Sequence, residues 1–234
     1  MSLIEAVGVH KTHPGSEPAL RGVDVHFAPG ELTVLAGPSG SGKTTLLSIM
    51  GGYEAPDAGS VRFNAPLPSG TALDAFQWHQ VGYVPQALML LEELTIAQNV
   101  QLPVVLSRET LPDRLVEDTY TLRWLERLEL AHLADRYPSQ VSGGEQQRTA
   151  LARALRLEPA VLLADEPTGQ LDPSRVGIVV EVLTAYARTG ATVVITSHDP
   201  VVVAAADMVV TMTDGSVVDW RRQAPRTPLA RPMV

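Results

Sequence analysis

The chain of 234 residues is 45% apolar and 19% charged, which suits one globular domain with a true hydrophobic core and room for an inserted subdomain. Its net charge of −8 argues against nucleic acid as a partner, because phosphate backbones select basic surfaces. The absence of cysteine excludes disulfides and thiolate metal sites.

The N-terminus, MSLIEAVGVHKTHPG, lacks the basic start and apolar run of a signal peptide, so a cytosolic chain is expected, meeting any membrane through a partner. The segment to about residue 30 reads as antiparallel strands. LTVLAG (32–37) is the first fully apolar strand, followed by a glycine-rich loop and the helical stretch TTLLSIMGG. QVGYVPQ (80–86) reads as the next strand. Residues 87–140 hold no β run, and TYTLRWLERLEL sets Leu122, Leu125 and Leu128 at helical spacing. This predicts a helical subdomain inserted at about 87–158, returning through a helix over 143–158 that Pro159 ends. AVLLADEP (160–167), the helix SRVGIVVEVLTAYART, the strand ATVVITSH (191–198) and DMVVTMTDGSVV (207–218), with its Asp-Gly turn, follow.

Near-continuous apolar strands alternating with helices predict an α/β fold, a mostly parallel sheet covered on both faces, with an antiparallel part at the N-terminus. VVVAAADMVV (201–210), the longest apolar stretch, is interrupted by Asp207 and too short to cross a bilayer. The domain is expected to end near residue 220. The Arg- and Pro-rich tail 221–234 reads as disordered, with an anionic-lipid tether as the other role weighed for it.

Gly37, Pro38, Ser39, Gly40, Ser41, Gly42, Lys43 and Thr44 complete the pattern G-x-x-x-x-G-K-[ST] between a strand and a helix. Glycines let the backbone curl so that successive N–H groups face phosphate oxygens, and the helix that starts there adds its positive end. Lys43 is placed to bridge β- and γ-phosphates, and Thr44 to ligate Mg²⁺.

VLLADEPTGQLD delivers Asp165 and Glu166 to the carboxyl edge of the sheet, where ligands of open α/β sheets bind. Asp165 is placed for the Mg²⁺ shell; Glu166, facing the other way, is placed to polarise an attacking water. His198 ends a strand at the same edge, within reach of a γ-phosphate, although a lone histidine is more often structural. Gln86 closes VGYVPQ and is a candidate for sensing Mg²⁺ or the water. The histidines at 10, 26, 79 and 132 read as structural or surface residues.

A second glycine-rich helix start, Ser142-Gly143-Gly144-Glu145, is a capping box, with Ser142 capping the helix and Glu145 reaching back. Two glycines in a first turn cost up to about 1 kcal/mol each relative to Ala, so a cap alone would not select them. They leave N–H groups uncovered for an anion. Since the first loop already encloses a nucleotide, the second anion site makes sense if it meets the nucleotide of another copy, head to tail.

In this order GPSGSGKT, VPQ, VSGGEQQR, VLLADEPTGQLD and TSHD resemble the Walker A, Q-loop, signature, Walker B with D-loop, and switch-histidine motifs of ABC transporter ATP-binding subunits, over nearly the whole chain to about residue 220. SGGEQQR with ADEPTG-x-LD, and TIAQNVQLPVVL, are similar to the branch of LolD-, MacB- and FtsE-like subunits. The resemblance implies ATP and Mg²⁺ as ligands, with Thr44, Gln86 and Asp165 around the metal. It implies Glu166 as general base, His198 at the γ-phosphate, Lys43 offsetting phosphoryl charge, and Thr45 beside the loop. Ser142, Gly143, Gly144 and Glu145 would complete the site of a second copy, in a homodimer at the cytoplasmic face of the membrane that drives an integral membrane permease.

Three departures from the family pattern stand out. His13, in HKTHPG, stands where an aromatic stacks on adenine; Gln170 stands where the branch has Asn; and Val141 and Glu145 vary the signature. ALMLLEEL (87–94) reads either as part of a permease groove or as subdomain packing. Other functions remain in competition: an FtsE-like signalling ATPase acting on a cell-wall hydrolase through a membrane partner, a soluble ABC ATPase, and a P-loop kinase. The soluble enzymes usually need two cassettes or a coiled-coil insertion, and the Asp-Glu pair and signature helix count against a kinase. Nothing in the sequence separates signalling from transport.

Overall fold

The computed structural model describes residues 2–64, 67, 79–107 and 110–223. The chain opens with β1 (Ile4–Thr12), β2 (Pro18–Phe27) and β3 (Leu32–Ala36); the first two join β4 (Ala58–Phe63) in an antiparallel sheet of order β2-β1-β4. β3 instead enters the central sheet with β5 (Val81–Val84), β6 (Val161–Ala164), β7 (Thr192–Thr196), β8 (Met208–Thr213) and β9 (Ser216–Arg222), in the order β5-β6-β7-β3-β8-β9. These pairs are parallel except for β9, which returns antiparallel to β8 through Asp214 and Gly215, both at positive φ as a tight hairpin turn requires. The helices, in chain order, are α1 (Lys43–Met50), α2 (Ile96–Leu106), α3 (Asp113–Val116), α4 (Asp118–Arg127), α5 (Gly143–Leu155), α6 (Pro173–Ala187) and α7 (Pro200–Ala205).

The apolar runs form central strands because both faces are covered. Leu162 and Ala164 of β6 join Leu32, Val34, Val193 and Ile195 in a core closed by α5, α6 and α7. Val161 and Leu163 join Leu35 and Val194 on the other face, under α1 and the inward residues of the antiparallel sheet, Phe27 and Phe63 among them. Each fully buried Leu or Val contributes about 1.5–3 kcal/mol, so this double burial fixes the depth and register of the strands.

The inserted helices share the first of these cores. Ile96 and Val100 of α2, and Trp124, Leu125 and Leu128 of and beyond α4, connect through Leu151 and Leu155 of α5 to the sheet. Thr95 and Gln98 form a capping box at the start of α2. Ahead of it the chain is pinned by two buried side chains. The Arg153 guanidinium donates to the carbonyls of Leu88 and Met89, both at 2.6 Å. Asn99, fully buried, accepts from the Leu91 N–H at 2.8 Å and donates to the carbonyls of Leu91, Leu94 and Thr95, each at 3.0 Å.

The expected elements are present, with local differences. Leu122 is 45% exposed, because the inward stripe of α4 runs through Thr121, Trp124 and Leu125 to Leu128 instead. α5 stops at Leu155, short of 158: the ring of Pro159 bars Glu158 from helical geometry, and Glu158 takes φ 51. β4 lies in a stretch for which no strand is predicted, since only Val61 and Phe63 of its six residues point inward. VVVAAADMVV divides between α7 and β8, and among the described residues no helix is long and apolar enough to cross a membrane. The first residues of the expected tail are strand, Met208 pairing with Arg222 and Val209 with Arg221. Residues 224–234 of that tail, with the lipid-tether reading, lie outside the described residues.

Asn99→Ala should lower the unfolding free energy by about 1–3 kcal/mol, because four backbone groups lose their buried partner. Urea denaturation measures this directly, and an unchanged midpoint would show that the pin is dispensable.

Candidate functional site

The loop Gly37–Gly42 turns back at the end of β3 and delivers Lys43 to the start of α1. Two of its glycines are sterically required. A Cβ on Gly37 (φ 142) would lie 2.1 Å from the Met212 carbonyl oxygen, and one on Gly42 (φ 95) 2.4 Å from that of Ala19. Lys43 Nζ curls over the loop, donating to the carbonyls of Gly37 (2.9 Å) and Pro38 (2.8 Å) and to Ser41 Oγ (3.3 Å). Burial lowers the Lys43 ammonium below its ordinary pKa, and the nearby Glu166 and Asp165 carboxylates pull the other way.

β6 and β7 end side by side and bring the carboxylates to this loop. Asp165 is 2% exposed, and its Oδ1 accepts the Thr196 hydroxyl at 2.6 Å. The same Thr196 oxygen accepts the Glu166 N–H at 2.8 Å. Glu166 takes a left-handed φ of 48, a strained conformation for a residue with a side chain. It is held there at its carbonyl as well, which accepts from the Gly169 N–H (3.0 Å) and from Gln147 Nε2. Glu166 Oε1 stands 3.4 Å from Nδ1 of the exposed His198. His13, Ser39 to Thr45, Gln86, Asp165 and Glu166 line a cleft of about 310 Å³.

Asp165 Oδ2 is buried without a hydrogen-bond partner, and Asp165 lines the cleft together with Thr44 and Gln86. An orphaned carboxylate oxygen in such a place fits a hard divalent cation. Among the described residues no cluster of three or more His, Asp or Glu side chains would hold a metal by itself. The donor set therefore suits Mg²⁺, which takes one or two carboxylates together with phosphate and water oxygens.

Ser142, Gly143, Gly144 and Glu145 are not part of this cleft. The capping box is formed: the Ser142 N–H donates to Glu145 Oε2 at 2.7 Å, the Ser142 hydroxyl donates to the same oxygen at 2.9 Å, and Ser142 Oγ accepts from the Glu145 N–H at 3.3 Å. The glycines have a packing reason of their own. A Cβ on Gly143 would lie 2.5 Å from Gln170 Oε1, and one on Gly144 3.1 Å from the Gln170 carbonyl and from Leu171 Cδ2.

Comparison with known proteins gives this geometry its family. Residues 20–169 match the ABC transporter family. The chain belongs to that family. It is 41% identical over 211 residues to the lipoprotein-releasing system ATP-binding protein LolD 2 of Caulobacter vibrioides, covering 88% of this chain and 91% of that protein. It is 40% identical over 229 residues to the macrolide export ATP-binding/permease protein MacB of Chlorobium luteolum, covering 94% of this chain and 34% of MacB. The chain thus spans about a third of the length of the MacB relatives. The dimeric ATP-binding cassette MJ0796, solved in a post-hydrolysis state with ADP and Pi, matches with a TM-score of 0.84 at 30% identity, over 96% of this chain and 100% of that one.

Within the ABC cassette the departures from pattern acquire positions. His13 sits at the cleft edge, Nε2 3.4 Å from Thr45 Oγ1 and Nδ1 3.4 Å from Glu54 Oε1. Gln170 lies against the signature glycines. The residues that sequence reasoning missed are Thr196, within TSHD, which bonds Asp165 Oδ1 and the Glu166 N–H, and Gln147, within SGGEQQR, which bonds the Glu166 carbonyl. Thr196→Val should destabilise the cassette by about 1–3 kcal/mol, since buried Asp165 Oδ1 and the Glu166 N–H both lose their partner, while nucleotide is still bound. Thermal unfolding alongside calorimetric titration checks both halves, and an unshifted unfolding curve would remove Thr196 from this role.

Proposed function

We propose that the chain binds Mg-ATP, pairs head to tail with a second copy around two nucleotides, and hydrolyses them to drive an integral membrane partner at the cytoplasmic face. The observation that supports this is the divided site. The phosphate loop and carboxylates share one cleft, whereas a second glycine-rich helix start lies outside it, on α5. In this reading the N–H groups of Gly37 to Thr45 and the Lys43 ammonium hold the β- and γ-phosphates, and His13 meets the base. Thr44, Gln86 and Asp165 would hold Mg²⁺, which when bound neutralises charge on the phosphate oxygens. The Glu166 carboxylate takes the proton of the attacking water, and His198 orients that water against the γ-phosphate. The Ser142 hydroxyl, now donating to Glu145, turns to the γ-phosphate of the partner copy, with the N–H groups of Gly143 and Gly144 beside it.

A groove of about 530 Å³ between the end of α1 and the segment ahead of α2 supports the membrane partner as the load. Tyr53, Met89 and Leu91 line it and are 68%, 71% and 43% exposed, and the Tyr53 and Tyr83 rings stack at 4.5 Å. Leu90 packs inward on the core, so the docking side chains of 87–94 are its neighbours. The relatives' names put lipoprotein release and macrolide export among the outputs of such a cassette. Cargo contacts would lie on the membrane partner, as they would for a signalling output.

Glu166→Gln should bind ATP normally and release phosphate about 10²–10⁴-fold more slowly, the usual loss when a general base is removed. Unchanged turnover in a phosphate-release assay without acceptor would take Glu166 out of its role. Met89→Asp should leave the ATPase of the isolated chain intact and abolish co-purification with a membrane protein. Retained co-purification would show that this groove is packing surface alone.

A further inference from the structure

We infer that Gln147 is a positioning residue that makes hydrolysis at one nucleotide depend on engagement of the other. The inference rests on the divided site proposed above and adds the device that links its two halves within one chain.

Gln147 lies on α5 five residues beyond Ser142, about 7.5 Å along the helix. It is 3% exposed, and both ends of its amide are used. Nε2 donates to the Glu166 carbonyl, and Oε1 accepts the Gln170 N–H at 2.8 Å. A flip of the amide would lose both bonds, so the side chain has one orientation. The segment it holds then folds back on the start of the same helix, Gln170 against Gly143 and Leu171 against Gly144. The first turns of α5 and residues 166–171 are therefore one hydrogen-bonded and packed unit.

Glu166 is the sensitive member of this unit. Its left-handed backbone is held by Thr196 at the N–H and by Gly169 and Gln147 at the carbonyl. Thr196 belongs to the sheet and Gly169 to the same local turn. Gln147 alone among these partners belongs to the helix whose N-terminus faces the other nucleotide. A shift of α5 when Ser142 closes on the partner's phosphate is thus delivered to the backbone of Glu166 in its own cleft. Coupling of this kind is reciprocal between the two sites.

The plain alternative is that Gln147 only satisfies two backbone groups, in which case its removal costs stability and nothing else. Steady-state hydrolysis of Mg-ATP by the full chain separates these, read as kcat, KM and Hill coefficient, with thermal unfolding measured alongside. Gln147→Leu should lower kcat about tenfold or more, leave KM within about twofold, and bring the Hill coefficient from its wild-type value to near one. Gln147→Met keeps the length and most of the volume of the side chain, loses the donor to Glu166, and should show the same loss in kcat and Hill coefficient. It carries the test if Gln147→Leu does not fold. A lowered unfolding temperature with unchanged kcat, or a retained Hill coefficient, overturns the inference while the ATPase reading stands. A wild-type chain that releases no phosphate overturns that reading and this inference with it.

Discussion

The register of three parallel strand pairs is the constraint on which the site depends. Val84 stands beside Ala164, Ala164 beside Ile195, and Leu35 beside Thr196. Neighbouring strands lie about 4.8 Å apart, so the segments leaving β3, β5, β6 and β7 emerge together at one edge. Those segments carry the phosphate loop, Gln86, the Asp165-Glu166 pair and His198. A slip of one residue in β6 would exchange Leu162 and Ala164 for Val161 and Leu163 between the two cores, and would part Thr196 from both carboxylate positions. The hydrophobic pattern that makes the sheet therefore also sets the hydrogen bonds of the site.

On this frame the two parts of the site are held in different ways. The loop is held by close backbone approaches at Gly37 and Gly42, which fit no side chain. Glu166, by contrast, keeps a strained backbone only through its hydrogen-bond partners, one of which comes from α5. α5 is also tied by Arg153 to the chain at Leu88 and Met89, beside the exposed apolar groove. One helix thus touches the segment behind the proposed docking groove, the base of the carboxylate turn and the proposed second anion site.

Much of this was legible in the sequence because it is written in patterns with strict steric demands. The phosphate loop is the clearest case: its glycines are required where the structure shows carbonyl oxygens 2.1–2.4 Å from a hypothetical Cβ. Four-residue apolar runs ending in polar residues gave the sheet and its functional edge. β4 escaped notice because only two of its side chains are inward, and Leu122 misled because helical spacing alone does not choose between adjacent stripes. Gln147 and Thr196 were not recognised because each sits within a motif, SGGEQQR or TSHD, whose glycines or histidine carry the sequence argument, and spacing alone does not reveal the partners of either polar side chain. A signal for Gln147 did exist. It lies four residues before Leu151 and eight before Leu155, on the buried stripe of α5, where a polar side chain must have partners. The glycine pair at 143–144 was assigned to an anion, and the packing of Gln170 and Leu171 against it could not be inferred without the fold.

The most direct test of the divided site is the solution mass of the Glu166→Gln chain, alone and with Ser142→Asp added. Aspartate is as good a helix cap as serine, so α5 should persist, while its charge opposes a phosphate. A site completed by a second copy gives twice 25.1 kDa with Mg-ATP and 25.1 kDa without it, and the added Ser142→Asp returns the ATP-bound chain to 25.1 kDa. A chain that binds ATP yet stays at 25.1 kDa, or a pair indifferent to Ser142→Asp, would contradict it.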